Sequence, residues 1–218
     1  DLNVVIKGLR RQQNLGGIVV TVPHKIRVLR LIDSLTREAL ATGAVNAIRR
    51  NTDGSLHGAN FDGRACIRTF QQLGADLRNQ SVLIIGAGGA GRAVADACLR
   101  EGANRLRIVD KTSSRAVRLA RELKSRFSHT VIDVGDRNPN GFTRVINCSP
   151  SGMTTADAMP IDVAQLDAGT AVVDLVLKPV TPPMLKAAQD IGCRTANGNT
   201  VLSAQVDLIA DFFLIDRG

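Results

Sequence analysis

The sequence has no tryptophan, no tyrosine and only six phenylalanines among its 218 residues. Proteins that hold unpaired bases usually stack them on aromatic rings, which argues against a base-stacking module. An aromatic sugar-binding platform has little to be built from. The four cysteines, Cys66, Cys98, Cys148 and Cys193, lie far apart, with no C-x-x-C pair and no histidine at ligand spacing. That argues against a zinc site and a disulfide framework. We expect no metal, and buried reduced thiols of a cytoplasmic protein. No apolar run approaches the roughly 20 residues that span a bilayer, so no membrane partner is expected. The opening Asp1-Leu2-Asn3 is neither a secretory leader nor an initiator methionine. It leads us to expect a piece of a longer chain.

What is present describes an ordinary globular chain, 44% hydrophobic and 22% charged. The length suits one large domain or two small ones. The net charge of +8 is uneven: residues 1–80 carry +6, residues 100–126 carry +6, and residues 127–218 carry −4. A basic first third can steer an anionic substrate. A solvated basic face explains it equally well. Arg115, Arg118 and Arg121 fall on one helix of an α/β unit, and no nucleic-acid partner is expected.

Residues 81–199 alternate apolar runs with amphipathic stretches. Residues 81–85, 105–109, 130–132, 144–147 and 171–175 read as buried strands. Residues 90–100, 113–127 and 181–191 read as helices, the last with Pro182 and Pro183 tolerated in its first turn. Parallel strands joined by helices predict a Rossmann-like doubly wound sheet. Residues 1–60 read differently. A strand is expected over 17–22, short helices over 26–32 and 34–40, a turn into a strand over 43–49, and a hairpin turn at 52–54. A helix over 63–73 would join the two parts, and a final helix over 201–215 would follow the loop 197–199. The expected fold class is thus α/β, with a smaller and incomplete α/β part beside the parallel sheet. The expected division is 1–74, 75–199 and 200–218, the last helix returning to the first part.

The motif Gly86-Ala87-Gly88-Gly89-Ala90-Gly91 follows a strand and opens a helix. The first glycine permits a tight turn, the second lets backbone approach a pyrophosphate, and the third lets helix and strand pack closely. The helix N-terminus then offers free N–H groups to phosphate. These residues point to dinucleotide binding. The next strand ends at Asp110, which either accepts from the adenosine ribose hydroxyls or caps the following helix. An acid there favours NAD. Lys111 and Arg115 could neutralise a 2′-phosphate, which keeps NADP as the alternative. In the first part, Lys25 and Asp62 are a plausible proton-transfer pair. Spacing alone does not bring them together, and a surface ion pair remains open.

Seven segments then carry a resemblance: GIVVTVPHK (17–25), GAVNAIRR (43–50), GANFDG (58–63), GAGGAGRA (86–93), NCSPSGM (147–153), DLVLKPVTPPML (174–185) and GNTVLSAQ (198–205). In their order and content they resemble the shikimate dehydrogenase family, including its quinate-oxidising relatives. The resemblance implies an NAD(P)-dependent oxidoreductase acting on a ring hydroxyl of a small hydroxy acid such as shikimate or quinate, as a monomer or homodimer. It implies that Lys25 and Asp62 form the catalytic pair, and that Thr21, Asn46 and Gln205 bond the substrate hydroxyls. Gly86, Ala87, Gly88, Gly89 and Ala90 would hold the pyrophosphate, and Asp110, Lys111, Thr112 and Arg115 the adenosine ribose. Leu175 and Gly198 would meet the nicotinamide through their backbones. The pattern departs at Val19, where the family has Asn, at Phe61, where it has Thr, and at Leu177, where it has Tyr. A Ser-containing segment that grips the substrate carboxylate has no match here. These departures suggest a shikimate analogue as substrate. They also keep open an alternative reading as a non-catalytic, dinucleotide-binding regulator.

Overall fold

The computed structural model of the chain describes residues 1–154 and 156–214. The first part begins with α1 (Leu2–Arg10), capped by the Asp1 side chain, which accepts from the Asn3 N–H. There follow β1 (Gly17–Val19), a 3-10 helix (Arg27–Leu31), β2 (Ser34–Leu35), α2 (Arg37–Thr42), β3 (Ala47–Arg50), β4 (Leu56–Ala59) and α3 (Asp62–Gln72). The four strands form a mixed sheet in the order β1-β3-β4-β2. β3 and β4 are the expected hairpin, closed by Asn51 N–H to Ser55 O at 2.9 Å. Ile6, Val28, Ala39, Ile48 and Leu56 pack as a small separate core around this sheet.

Two expectations for this part are corrected. Residues 34–40 do not form one helix: Ser34 and Leu35 pair in parallel with His57 and Gly58 of β4. Thr36 then caps α2, its hydroxyl accepting from the Ala39 N–H, so the helix cannot begin earlier. The strand expected over 17–22 stops at Val19, because the Thr21 carbonyl turns to accept from the His24 N–H at 2.9 Å.

The second part holds the expected strands and helices, β5 (Ser81–Ile85), α4 (Gly89–Arg100), β6 (Arg105–Val109), α5 (Ser113–Lys124), β7 (Val131–Val134), β8 (Arg144–Asn147), β9 (Ala171–Asp174), α6 (Pro183–Ile191) and α7 (Gly198–Leu214). It adds a strand that was not expected, β10 (Arg194–Ala196), and among the described residues no α-helix separates β7 from β8 or β8 from β9. The last position of the expected final helix, residue 215, lies outside the described residues. The six strands form an all-parallel sheet, ordered β10-β9-β8-β5-β6-β7. The chain runs outward from β5 through β6 to β7, then returns to lay β8 on the other side of β5. The loops leaving β5 and β8 therefore part at the carboxyl edge of the sheet. That crevice is where open α/β sheets bind ligands.

Contacts at several places join the two parts. α3 and α4 approach closely at their backbones: a Cβ on Gly63 would lie 2.5 Å from the Ala93 carbonyl oxygen, so only glycine fits. α7 crosses back to the small sheet, where Arg49 Nη1 donates to the Phe212 carbonyl at 3.3 Å. From the first turn of α4, Arg92 Nε donates to the Thr42 carbonyl at the end of α2 at 2.7 Å, and its guanidinium also pairs with Glu122 of α5. The main core runs without a break from Ala59 through Phe70 and Val94 to Leu106 and Ile146. Among the described residues no helix is long and apolar enough to cross a membrane.

Candidate active site

Asp62 is the first residue of α3 and is 3% exposed. A carboxylate at that end of a helix is favoured by the helix dipole. Its backbone N–H donates to Asn60 Oδ1 at 3.0 Å, and Asn60 Nδ2 donates to the Ala44 carbonyl at 3.1 Å, which fixes the helix entry. Three side chains converge on the carboxylate, from the turn before the 3-10 helix, from the bend before β3 and from α7. Lys25 Nζ donates to Oδ2 at 2.7 Å, Asn46 Nδ2 to Oδ1 at 3.0 Å, and Gln205 Nε2 to Oδ1 at 2.7 Å. Asn46 is held from its other side, since its Oδ1 accepts from the Phe61 N–H at 2.9 Å. The Lys25 side chain is 13% exposed and reaches the edge of this cluster. A cation with spare N–H groups thus stands beside a buried acceptor and two amide donors. Such a set can bind adjacent hydroxyls and handle the proton of one of them.

Four of the five expected catalytic and substrate-binding residues, Lys25, Asp62, Asn46 and Gln205, therefore meet. Thr21 lies exposed two positions past β1, outside this hydrogen-bond cluster. Phe61 does not line the pocket as a lost polar group. It is buried, with its ring edge-on to Phe212 of α7 at 5.5 Å between centroids, and only its N–H serves the cluster.

The glycine loop lies directly against this cluster. A Cβ on Gly89 would sit 3.0 Å from Lys25 Cβ, so the lysine stem rests on the start of α4. Gly86 has φ +102°, and a Cβ on Gly91 would fall 1.8 Å from the Gly86 carbonyl oxygen. Gly88 faces open space, with nothing within 4 Å of where its Cβ would be. As N-cap of α4 it supplies no side-chain cap, and the first turn of the helix holds no acid. An uncapped helix N-terminus behind an open glycine fits a bound pyrophosphate.

Asp110 serves the loop itself. Its Oδ2 accepts from the Ala87 N–H at 2.7 Å and its Oδ1 from the Thr112 N–H at 2.8 Å. Lys111, Thr112 and Arg115 are exposed around it. Leu175 donates its N–H to the Asn147 carbonyl at 2.9 Å. A Cβ on Gly198 would lie 2.4 Å from the Val176 carbonyl oxygen, so the start of α7 is pressed onto the loop after β9.

Two buried polar residues of the 147–153 and 174–185 segments carry no role in the resemblance. Asn147 and Asp174 end β8 and β9, and each is fully buried. The available signal was a polar residue closing an otherwise apolar strand at the sheet's carboxyl edge. Burial pushes the Asp174 carboxyl up to about 6, against the hydrogen bonds from the Val176 N–H and Asn147. Its Oδ2 has no hydrogen-bond partner among the described residues. Because this acid binds its proton more tightly folded than unfolded, its effect on stability declines as pH rises from about 4 through about 6 and is flat above. The shift corresponds to about 3 kcal/mol at most. Urea denaturation between pH 4 and 7 is expected to show this decline, and Asp174→Asn to remove it.

An α/β dehydrogenase that uses a nicotinamide dinucleotide is the class this fold and site define. The comparisons agree. The family model described as saccharopine dehydrogenase NADP binding domain matches residues 82–208, and the one described as shikimate dehydrogenase substrate binding domain matches residues 1–48. The chain is 36% identical over 213 residues to the shikimate dehydrogenase (NADP(+)) of Syntrophomonas wolfei, covering 94% of this chain and 72% of that one. It is 34% identical over 198 residues to that of Methanocella arvoryzae, covering 89% and 71%. Among solved structures it resembles a shikimate dehydrogenase in complex with NADP+ (28% identity, TM-score 0.88, 97% of this chain and 75% of that one). It also resembles a quinate dehydrogenase from Corynebacterium glutamicum in complex with NAD (29%, TM-score 0.87, 98% and 77%). The chain belongs to the shikimate dehydrogenase family.

Proposed function

We propose that this chain catalyses reversible hydride transfer between a nicotinamide dinucleotide and a ring hydroxyl of shikimate, quinate or a close analogue. The observation that carries the reading is the contact of the Lys25–Asp62 pair with the dinucleotide loop, through the lysine stem on Gly89. A nicotinamide dinucleotide held by the loop 86–90 would supply the redox chemistry, as acceptor or donor of the hydride. The chain's own residues do the rest. Asn46 and Gln205, braced by Asp62, offer donors to neighbouring hydroxyls and so orient the ring. The proton of the reacting hydroxyl passes to the Lys25–Asp62 pair and returns from it in the reverse direction. In this reading residues 1–74 hold the substrate, residues 75–199 hold the dinucleotide, and α7 ties them together in a cytoplasmic enzyme. Initial rates of NADH and NADPH formation with shikimate and with quinate test it. Turnover of either acid supports the reading. Dinucleotide binding without turnover of any ring polyol would favour the regulatory alternative.

The choice between NAD and NADP falls, in the same reading, to Asp110, Lys111 and Arg115. The carboxylate disfavours a 2′-phosphate, and the two cations favour it. Asp110→Asn keeps an acceptor for one loop N–H and removes the charge. It is expected to raise the NADP-to-NAD ratio of kcat/KM by about tenfold, equivalent to about 1.4 kcal/mol. An unchanged ratio would place the selection elsewhere.

A further inference from the structure

Asn147 and Asp174 stand opposite each other in register on the neighbouring strands β8 and β9. Asp174 Oδ1 accepts from Asn147 Nδ2 at 3.1 Å and from the Val176 N–H at 2.9 Å. Asn147 passes this anchorage to the loop after β8. Its Oδ1 accepts from the Ser149 N–H at 3.0 Å and the Ser149 hydroxyl at 2.7 Å, and its Nδ2 also donates to the Ser151 carbonyl at 3.0 Å. Ser149 Oγ then accepts from the Ser151 N–H at 3.2 Å.

Both loops held in this way abut glycines with no space to spare. The Cys148 carbonyl and the Ser149 nitrogen lie 2.9 Å from where a Cβ on Gly86 would be. The Val176 carbonyl crowds Gly198 in the same manner. One side of this junction is the first glycine of the dinucleotide loop, and the other is the start of the helix that carries Gln205. A buried carboxyl that never reaches the crevice thus anchors two walls of it.

We propose that Asp174 is a positioning residue for the dinucleotide: through Asn147 and Val176 it sets the spacing of the β8 and β9 loops against Gly86 and Gly198. The proposal rests on the dinucleotide site proposed above. Its effect falls first on affinity, because among the described residues Lys25 and Asp62 take no hydrogen bond from the β8 or β9 loop, and Gln205 is reached only through the start of α7.

The test is a fluorescence titration with NADPH and with NADH on the whole chain, beside kcat and KM for the dinucleotide. Asp174→Ala removes the acceptor, and is expected to raise Kd and KM about tenfold or more while kcat at saturation stays within about threefold. Asp174→Asn keeps the Oδ1 acceptor and the shape, and is expected to bind within about threefold of wild type. Ser149→Ala removes one link in a half-buried loop without touching the core, and is expected to raise Kd about threefold even if Asp174→Ala fails to fold. Unchanged Kd in both Asp174→Ala and Ser149→Ala, or equal damage from Asp174→Asn and Asp174→Ala, overturns the proposal alone. A wild-type chain that binds neither dinucleotide overturns the functional reading and this proposal with it.

Discussion

Lys25→Ala is expected to lower kcat by about 10²-fold or more while the dinucleotide Kd stays within about twofold of wild type. The split follows from what Lys25 touches. Its Nζ engages Asp62, which belongs to the substrate side, and only its aliphatic stem meets the dinucleotide loop at Gly89. Lys25→Met isolates the charge, since it keeps a stem on Gly89 and removes the ammonium; its kcat is expected to fall as far. Asp62→Asn attacks the same pair from the other end. Lys25, Asn46 and Gln205 all donate to the Asp62 carboxylate, so an amide there turns one of its atoms into a donor facing donors. Its cost is expected in kcat and in substrate KM together, because the braces of Asn46 and Gln205 slacken as well. Steady-state kinetics with either dinucleotide at saturation reads both. Turnover near wild type in Lys25→Met and Asp62→Asn would remove these residues from the proton path.

The parts of this molecule that could be read in advance are those where local pattern and required backbone coincide. The parallel sheet was legible because its central strands are short apolar runs, and those of β5, β6 and β9 are followed by stretches of helical period. The glycine loop was legible because Gly86, Gly88 and Gly91 each answer a different steric demand. The pairing of Lys25 with Asp62 was not legible from spacing. The two are 37 residues apart, and they meet because β3, β4 and the entry to α3 fold between them. Only the resemblance of whole segments joined them. The first part was misread where length was too short to hold a period. Ser34 and Leu35 make a strand of two residues, and α2 has six. The hydroxyl of Thr36 decided that boundary, with a capping bond that apolar spacing does not record. Phe61 illustrates the converse: its place in the NFDG segment suggested the pocket, and its ring went to Phe212 because α7 returns across the small sheet. Asn147 and Asp174 were hidden for a related reason. Their meaning lies in the register of β8 against β9, which no single strand contains.

Gly91→Ala is expected to abolish dinucleotide binding within the accessible concentration range, with Kd raised by 10²-fold or more on the order set by a displaced binding loop. The added Cβ would lie 1.8 Å from the Gly86 carbonyl oxygen and 2.8 Å from its carbon, both backbone atoms of the same loop. Nothing flexible can give way there, so the turn between β5 and α4 must open. The Ala87 N–H would then leave Asp110, and Gly86 would press on Cys148 and Ser149. Stability should fall too, by roughly 1–3 kcal/mol, the usual cost of overpacking. Gly88→Ala provides the contrast that makes the test sharp. Gly88 is in an extended conformation, φ −78° and ψ −165°, that any residue adopts. Its Cβ would meet no protein atom within 4 Å, so the free protein should keep its wild-type urea midpoint. In the reading proposed here that open space is where a pyrophosphate approaches, and Gly88→Ala is expected to weaken binding about tenfold with no loss of stability. A variant pair in which both glycines cost stability, or in which Gly88→Ala binds as tightly as wild type, would show that the phosphates do not pass over this loop.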